Sequence, residues 1–99
     1  MKIYAMVFTP EAELEALKAY FWYENQKPGL GEDFKKCLDS KIESLKQNPQ
    51  VSSYILKNVR SSKIKKFPYN LIYRISDSQI QIIAIFHYSR NPKEWRKRI

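Results

Sequence analysis

Apolar positions recur along this chain with two different periods, and the change falls near residue 50. Residues 2–8 come first, with Ile3, Ala5 and Val7 alternating against Tyr4, Met6 and Phe8. Both sets are apolar, which predicts a short strand buried on both faces. "TPEAE" then opens a helix, with Thr9 as N-cap, Pro10 at the first helical position and acids in the first turn. Leu14, Leu17, Phe21 and Trp22 follow at spacings of three and four, predicting a helix to about Glu24 with these residues as its apolar face. "NQKPGLG" breaks it. Leu30, Phe34, Cys37, Leu38, Ile42 and Leu45 form the stripe of a second helix, which Pro49 ends at about Gln47. Two such helices joined by a Pro-Gly turn make an αα-hairpin.

Beyond residue 50 the period shortens to two. "SSYILKNV", "SSKIKKF", "YNLIYRI" and "QIQIIAIFHY" are short runs of β-branched and aromatic residues separated by turn signals. "ISDSQI" is the strongest hairpin candidate among them. "NPKEWRKRI" closes the chain as a short helix, capped by Asn91 and begun by Pro92. The predicted class is α+β: an N-terminal strand, a helical hairpin, then a three-stranded antiparallel meander. The helix pair covers one face of that sheet in a two-layer arrangement.

Period alone also sorts side chains by face. Asn70, Ile72 and Arg74 share one side of their strand, and Gln79, Gln81, Ile83, Ile85 and His87 share one side of theirs. If the more apolar sets meet the helices, Arg74 and His87 stand together on the open face, and Phe86 lies in the core. One bulge would reverse that assignment.

Composition bounds the function. Ninety-nine residues with 43% hydrophobic side chains predict one globular domain over residues 1–99. Apolar runs such as Ile82–Phe86 are too short to span a bilayer, and the N-terminus lacks the pattern of a secretory signal. The one cysteine, Cys37, suits a reducing compartment. A cytoplasmic protein with no membrane partner is expected. Charge sharpens the picture: residues 1–45 carry a net of −2 and residues 46–99 a net of +10. So lopsided a field favours a polyanionic partner, whether nucleic acid or an acidic protein segment.

Most catalytic patterns are missing. Only Gly29 and Gly31 are present, so there is no glycine-rich phosphate loop. One Cys and one His do not make a usual structural zinc site, and no metal or cofactor is expected. Metal-free RNA cleavage needs an acid or base and cations that stabilise the developing phosphorane charge. His87 suits the first role, Arg60, Arg74 or Arg90 the second, and Tyr88 could stack on a base or donate a proton. The plain reading of His87 is a strand-end histidine satisfied by local hydrogen bonds. Arg90, Lys93, Arg96, Lys97 and Arg98 could bind a target or partner without catalysis. Trp95 is either a recognition residue or the anchor of the terminal helix, with packing favoured. Lys63, Lys65 and Lys66 are either a polyanion contact or a solvated strand face that blocks edge-to-edge aggregation.

The order of these segments resembles the RelE/ParE superfamily of toxins from bacterial type II toxin–antitoxin systems. The resemblance is carried by "VFTPEAELEALKAYFWY", "LGEDFKKCLDSKIESLKQNP", "KIKKFPYNLIYRI" and "IIAIFHYSRNPKEWRKRI". "FPYNLIYRI" and "FHYSRNPKEW" look particularly like the ParE branch. The resemblance implies a toxin silenced by a cognate antitoxin whose acidic C-terminal segment wraps around it. ParE-like members poison DNA gyrase, whereas RelE-like members cut mRNA in the ribosomal A site. For the nuclease alternative, "His87-Tyr88" and Arg60 or Arg74 match elements that some RelE-like members use. However, residues 48–57 hold no acid, so the glutamate base of one RelE-like group has no counterpart there. A non-toxic basic RNA-binding or adaptor module is the third reading.

Overall fold

A computed structural model describes residues 4–99. Ile3 and the start of the expected first strand lie outside the described residues. The elements are β1 (Ala5–Phe8), α1 (Pro10–Gln26), α2 (Leu30–Gln47), a 3-10 turn (Pro49–Val51), β2 (Tyr54–Leu56), β3 (Val59–Lys63), β4 (Tyr69–Ser76), β5 (Gln79–His87) and α3 (Lys93–Arg96). Five strands form one sheet in the order β1-β5-β4-β3-β2, with β1 parallel to β5 and the other pairs antiparallel. The α+β class and the helical hairpin followed by a meander are as expected. The meander has four strands rather than three, because "SSYILKNV" folds back on itself. Lys57, at a φ of 50°, turns Leu56 into Val59.

Helix α1 starts where its capping signals place it. Thr9 Oγ1 accepts from the Ala12 N–H, and Pro10 opens the first turn. Its buried face is not the expected one, however. Ala12, Ala19 and Tyr23 are buried and Ala16 packs beside them, while Leu14, Leu17, Phe21 and Trp22 are each 50–58% exposed. Ala12, Ala16, Ala19 and Tyr23 follow one another at intervals of four, three and four, a helical stripe in their own right. The small side chains let α1 approach its neighbours closely. The α1–α2 turn is equally tight. Glu24 accepts from the backbone N–H groups of Gly29 and Gly31, and a Cβ at Gly31 would come within 2.6 Å of the Tyr20 carbonyl oxygen. α2 buries Phe34, Leu38 and Leu45 as expected.

The sheet has two covered faces of unequal size. On the helix side, Leu71, Tyr73, Ile80, Ile82 and Ile85 join the helical residues in the main core. On the back, Val59, Ile72, Ile83, Ala84 and Phe86 form a second cluster sealed by Trp95 and Ile99. β1 lies at the sheet edge, so its burial on two faces does not occur. Tyr4, Met6 and Phe8 pack on the main core, and Ala5 and Val7 are exposed.

Strand β5 carries the feature that reassigns the site. Ile72 pairs with Ala84 and Tyr73 with Ile82, which leaves Ile83 as an extra residue in a bulge. Alternation inverts across it. Ile80 and Ile82 face the helices before the bulge, and Ile85 faces them after it, while Ala84 and Phe86 face the back. His87 follows Ile85 onto the helix side, and Arg74 stays on the back with Ile72. The two therefore stand on opposite faces, contrary to the period-based expectation.

Candidate functional site

His87 ends β5 opposite Tyr69, and the two rings meet edge to face with centroids 5.0 Å apart. The backbone N–H of Ser89 donates to His87 Nδ1 at 3.0 Å, and Ser89 Oγ lies 2.7 Å from the same nitrogen. A proton donor at Nδ1 leaves the neutral ring's own hydrogen on Nε2. Trp22, Pro68 and Arg90 line the shallow cleft in front of the ring. Burial raises the Tyr69 hydroxyl above its ordinary value of 10.0, so Tyr69 is a neutral ring wall at physiological pH.

Of the other residues of the cleavage hypothesis, Arg90 shares this cleft and the rest are held elsewhere. Tyr88 turns to the back face, 46% exposed, with Lys63 Nζ 6.0 Å from its ring centroid. Arg74 donates from Nε to Gln81 Oε1 at 2.8 Å, its neighbour on the back of β5. Arg60 reaches the loop before β2, where Nη1 donates to the carbonyls of Gln50 at 3.0 Å and Ser52 at 2.6 Å. Its guanidinium also lies over the Tyr54 ring at 3.9 Å. Thus His87 shares no face with Arg74 or Tyr88, and Arg60 is committed to a loop. Among the described residues no cluster of three or more His, Cys, Asp or Glu side chains could hold a metal ion.

The structure does bring together a basic groove on the back of the sheet. Ile55, Ser61, Asn70, Tyr88, Pro92 and Arg96 are among the residues lining about 340 Å3 between β3 and α3. Trp95 forms its floor at 4% exposure, so it packs the terminal helix down. Asn91 Oδ1 accepts from the Lys93 N–H at 3.0 Å, which is the expected capping side chain. Arg96 lines the groove and Lys63 approaches it at Tyr88, while Lys93 and Lys97 are exposed in the terminal segment. Arg90 is exposed but paired with Glu94 at 2.6 Å. Lys65 and Lys66 lie in the β3–β4 turn, away from Lys63 and closer to α2. Arg98 is committed within the fold, with its guanidinium on both oxygens of Glu15. Glu15 is correspondingly turned towards the sheet, although it sits in the acidic first turns of α1.

A second surface was not foreseen. Leu17, Tyr20, Phe34, Leu38, Ile42 and Phe8 line a groove of about 400 Å3 between α1 and α2. Leu14 and Phe21 continue the row of Leu17 as exposed apolar surface on α1, and Trp22 is exposed on the flank of the helix that faces His87. The signal was present as a second stripe of alanines, but large apolar residues outweigh alanines in any hydropathy reading of a helix.

Comparisons with known proteins agree on the architecture. The family profile described as "ParE toxin of type II toxin-antitoxin system, parDE" matches residues 6–92. The fold is similar to a chain from a chromosomal ParDE toxin–antitoxin system of P. aeruginosa, with a TM-score of 0.75 and 17% identity over 86% of this chain and 96% of that one. It is similar to the YoeB dimer of Staphylococcus aureus, at a TM-score of 0.58 and 18% identity over 88% and 98% of the two chains. It also resembles a mutant of the E. coli toxin RelE in complex with an antitoxin RelB peptide, at a TM-score of 0.61 and 16% identity over 98% and 95%. No curated protein matches the sequence. Among the described residues no helix is long and apolar enough to cross a membrane.

Proposed function

The chain belongs to the ParE toxin family of type II toxin–antitoxin systems, and from that premise we propose that it poisons DNA gyrase in the cytoplasm until a cognate antitoxin silences it. The observation that carries the choice of target is the bulge at Ile83. It puts His87 on the helix side of the sheet, while Arg74 and Tyr88 point away from it on the other. A phosphodiester in line for cleavage needs its acid, base and charge-stabilising groups around one point. Here Arg90 alone joins His87 in its cleft, while Arg74 and Tyr88 lie on the other face and Arg60 is held by a loop. A toxin that works by gripping its target needs only a surface, and the back groove with Tyr88, Arg90, Arg96 and the neighbouring Lys63 supplies one.

The antitoxin reading rests on the α1–α2 surface. An amphipathic helix lays its apolar face into a hydrophobic groove by matching side chains at helical spacing. Leu14, Leu17 and Phe21 present such a spacing beside the groove. An acidic continuation of the same segment would reach the basic half of the chain, where the net charge is +10 over residues 46–99. Expression of the chain alone should arrest growth, and co-expression with an antitoxin encoded in a neighbouring reading frame should restore it. Normal growth with folded chain in the cell would count against the toxin reading itself.

A further inference from the structure

Helix α2 has two working flanks. One closes the apolar groove through Phe34, Leu38 and Ile42. The other carries Lys36, Cys37, Ser40, Lys41 and Ser44 and faces Lys65 and Lys66 in the β3–β4 turn. Between them lies a concavity of about 380 Å3, lined by four lysines, two serine hydroxyls and one half-buried thiol, without a carboxylate. The acids of α2 are occupied elsewhere or lie outside it. Asp39 lines the apolar groove, Glu43 pairs with Lys46 at 3.6 Å, Glu32 accepts the Tyr20 hydroxyl, and Asp33 sits in the first turn. None of the four lysines joins an ion pair among the described residues. Lys66 is held there at a φ of 71°, a conformation few side chains adopt. Four unneutralised cations in one hollow repel each other, and a polyanion relieves that repulsion.

We propose that the hollow formed by Lys36, Lys41, Lys65 and Lys66 is a contact site for the phosphate backbone of duplex DNA. Its chemistry selects among polyanions. An acidic peptide helix needs apolar anchors, and only Cys37 is offered. Single-stranded RNA is gripped by stacking its bases on aromatic rings, and no ring lines the hollow. A duplex keeps its bases stacked inside and presents phosphates, which lysine ammoniums and serine hydroxyls contact without reading sequence. Ser40 and Ser44 stand one turn apart on α2, about 6 Å along its axis, with Lys36 and Lys41 on either side. The site is on the opposite flank from the apolar groove, so a helix seated in that groove leaves it open. It does not depend on gyrase being the target.

The test is fluorescence anisotropy of the purified chain with a short random-sequence duplex, repeated from about 50 to 200 mM salt. Removing one lysine from a phosphate lowers the slope of log K against log salt by about 0.9, so the Lys36→Gln/Lys41→Gln/Lys65→Gln/Lys66→Gln variant loses about 3.6. The Lys65→Gln/Lys66→Gln pair, confined to a turn, loses about 1.8 and guards against misfolding of the larger variant. Lys27→Gln/Lys57→Gln, two exposed lysines away from the hollow, leaves the slope unchanged. The proposal is overturned if the wild-type chain does not bind the duplex, or if the turn variant keeps the full slope. It is overturned equally if poly-glutamate or single-stranded RNA competes as well as the duplex.

Discussion

Arg98 and Glu15 are joined across 83 residues of chain, with two guanidinium nitrogens on the two carboxylate oxygens at 2.9 and 3.0 Å. The pair completes a sheet edge. β1 stops at Phe8, opposite Ile82, where the chain turns away into α1. Beyond that point Glu15 Oε1 accepts from the Ile85 N–H at 3.1 Å, and Arg98 and the Thr9 hydroxyl donate to the Ile83 carbonyl. Side chains thus take over the ladder bonds that a longer strand would have made. The tail that delivers Arg98 is pinned to the back face by Trp95, so the last residues belong to the fold.

Glu15→Ala should leave the Ile85 N–H without its acceptor and the Arg98 guanidinium with only the Ile83 carbonyl. The expected loss is about 2 kcal/mol of unfolding free energy, since both bonds involve a charged group. Arg98→Ala should cost about 1 kcal/mol, because Thr9 still serves the Ile83 carbonyl. Urea unfolding of both variants checks this. Unchanged midpoints would mean that the clamp contributes nothing.

The outer face of α1 should behave as a binding surface and not as core. Leu14→Ser and Phe21→Ser are expected to shift the stability of the free chain by no more than about 0.5 kcal/mol. Phe34→Ala, at the centre of the aromatic cluster with Tyr23, Phe67 and Tyr69, should cost about 3–5 kcal/mol. The same serine variants should weaken antitoxin binding at least tenfold, or about 1.4 kcal/mol, measured by calorimetry on the purified pair. A strongly destabilised Phe21→Ser chain would return α1's large residues to the core.

Tyr73 predicts an alkaline limit. Its hydroxyl donates to the Pro49 carbonyl at 2.7 Å, and burial raises its pKa above the ordinary 10.0. A raised folded-state pKa means that the native chain holds the proton longer than the unfolded one. Its contribution is therefore fully present below pH 10.0 and is lost as pH rises through the folded value. Tyr73→Phe should lower stability at pH 7 by about 1 kcal/mol, the net worth of the hydrogen bond, and flatten the decline above pH 10. Unfolding measured across that range in both proteins decides it, and parallel declines would contradict it.

Much of this was legible in the sequence. Thr9-Pro10 and "NQKPGLG" marked helix ends because caps and breakers act through the local backbone, and Asp77-Ser78 closed the β4–β5 hairpin for the same reason, with Asp77 at a φ of 54°. Facing was less legible. Ile83 is one β-branched residue in an unbroken apolar run, and nothing local announces that it is the extra one in the ladder. That single residue carried His87 to the other side of the sheet. The inward face of α1 was concealed differently, since it is built from alanines that gain their burial from close approach. The partners of Glu15 lie 70 and 83 residues away, a separation no periodicity spans.

A supercoiling assay with purified gyrase and the purified chain decides the target. Wild-type protein is expected to halt supercoiling and trap cleaved DNA, antitoxin to prevent this, and His87→Ala and Arg74→Ala to leave it intact. The gyrase reading would be contradicted if gyrase ran unimpeded while the same preparation cut mRNA on translating ribosomes, with that cutting lost in His87→Ala.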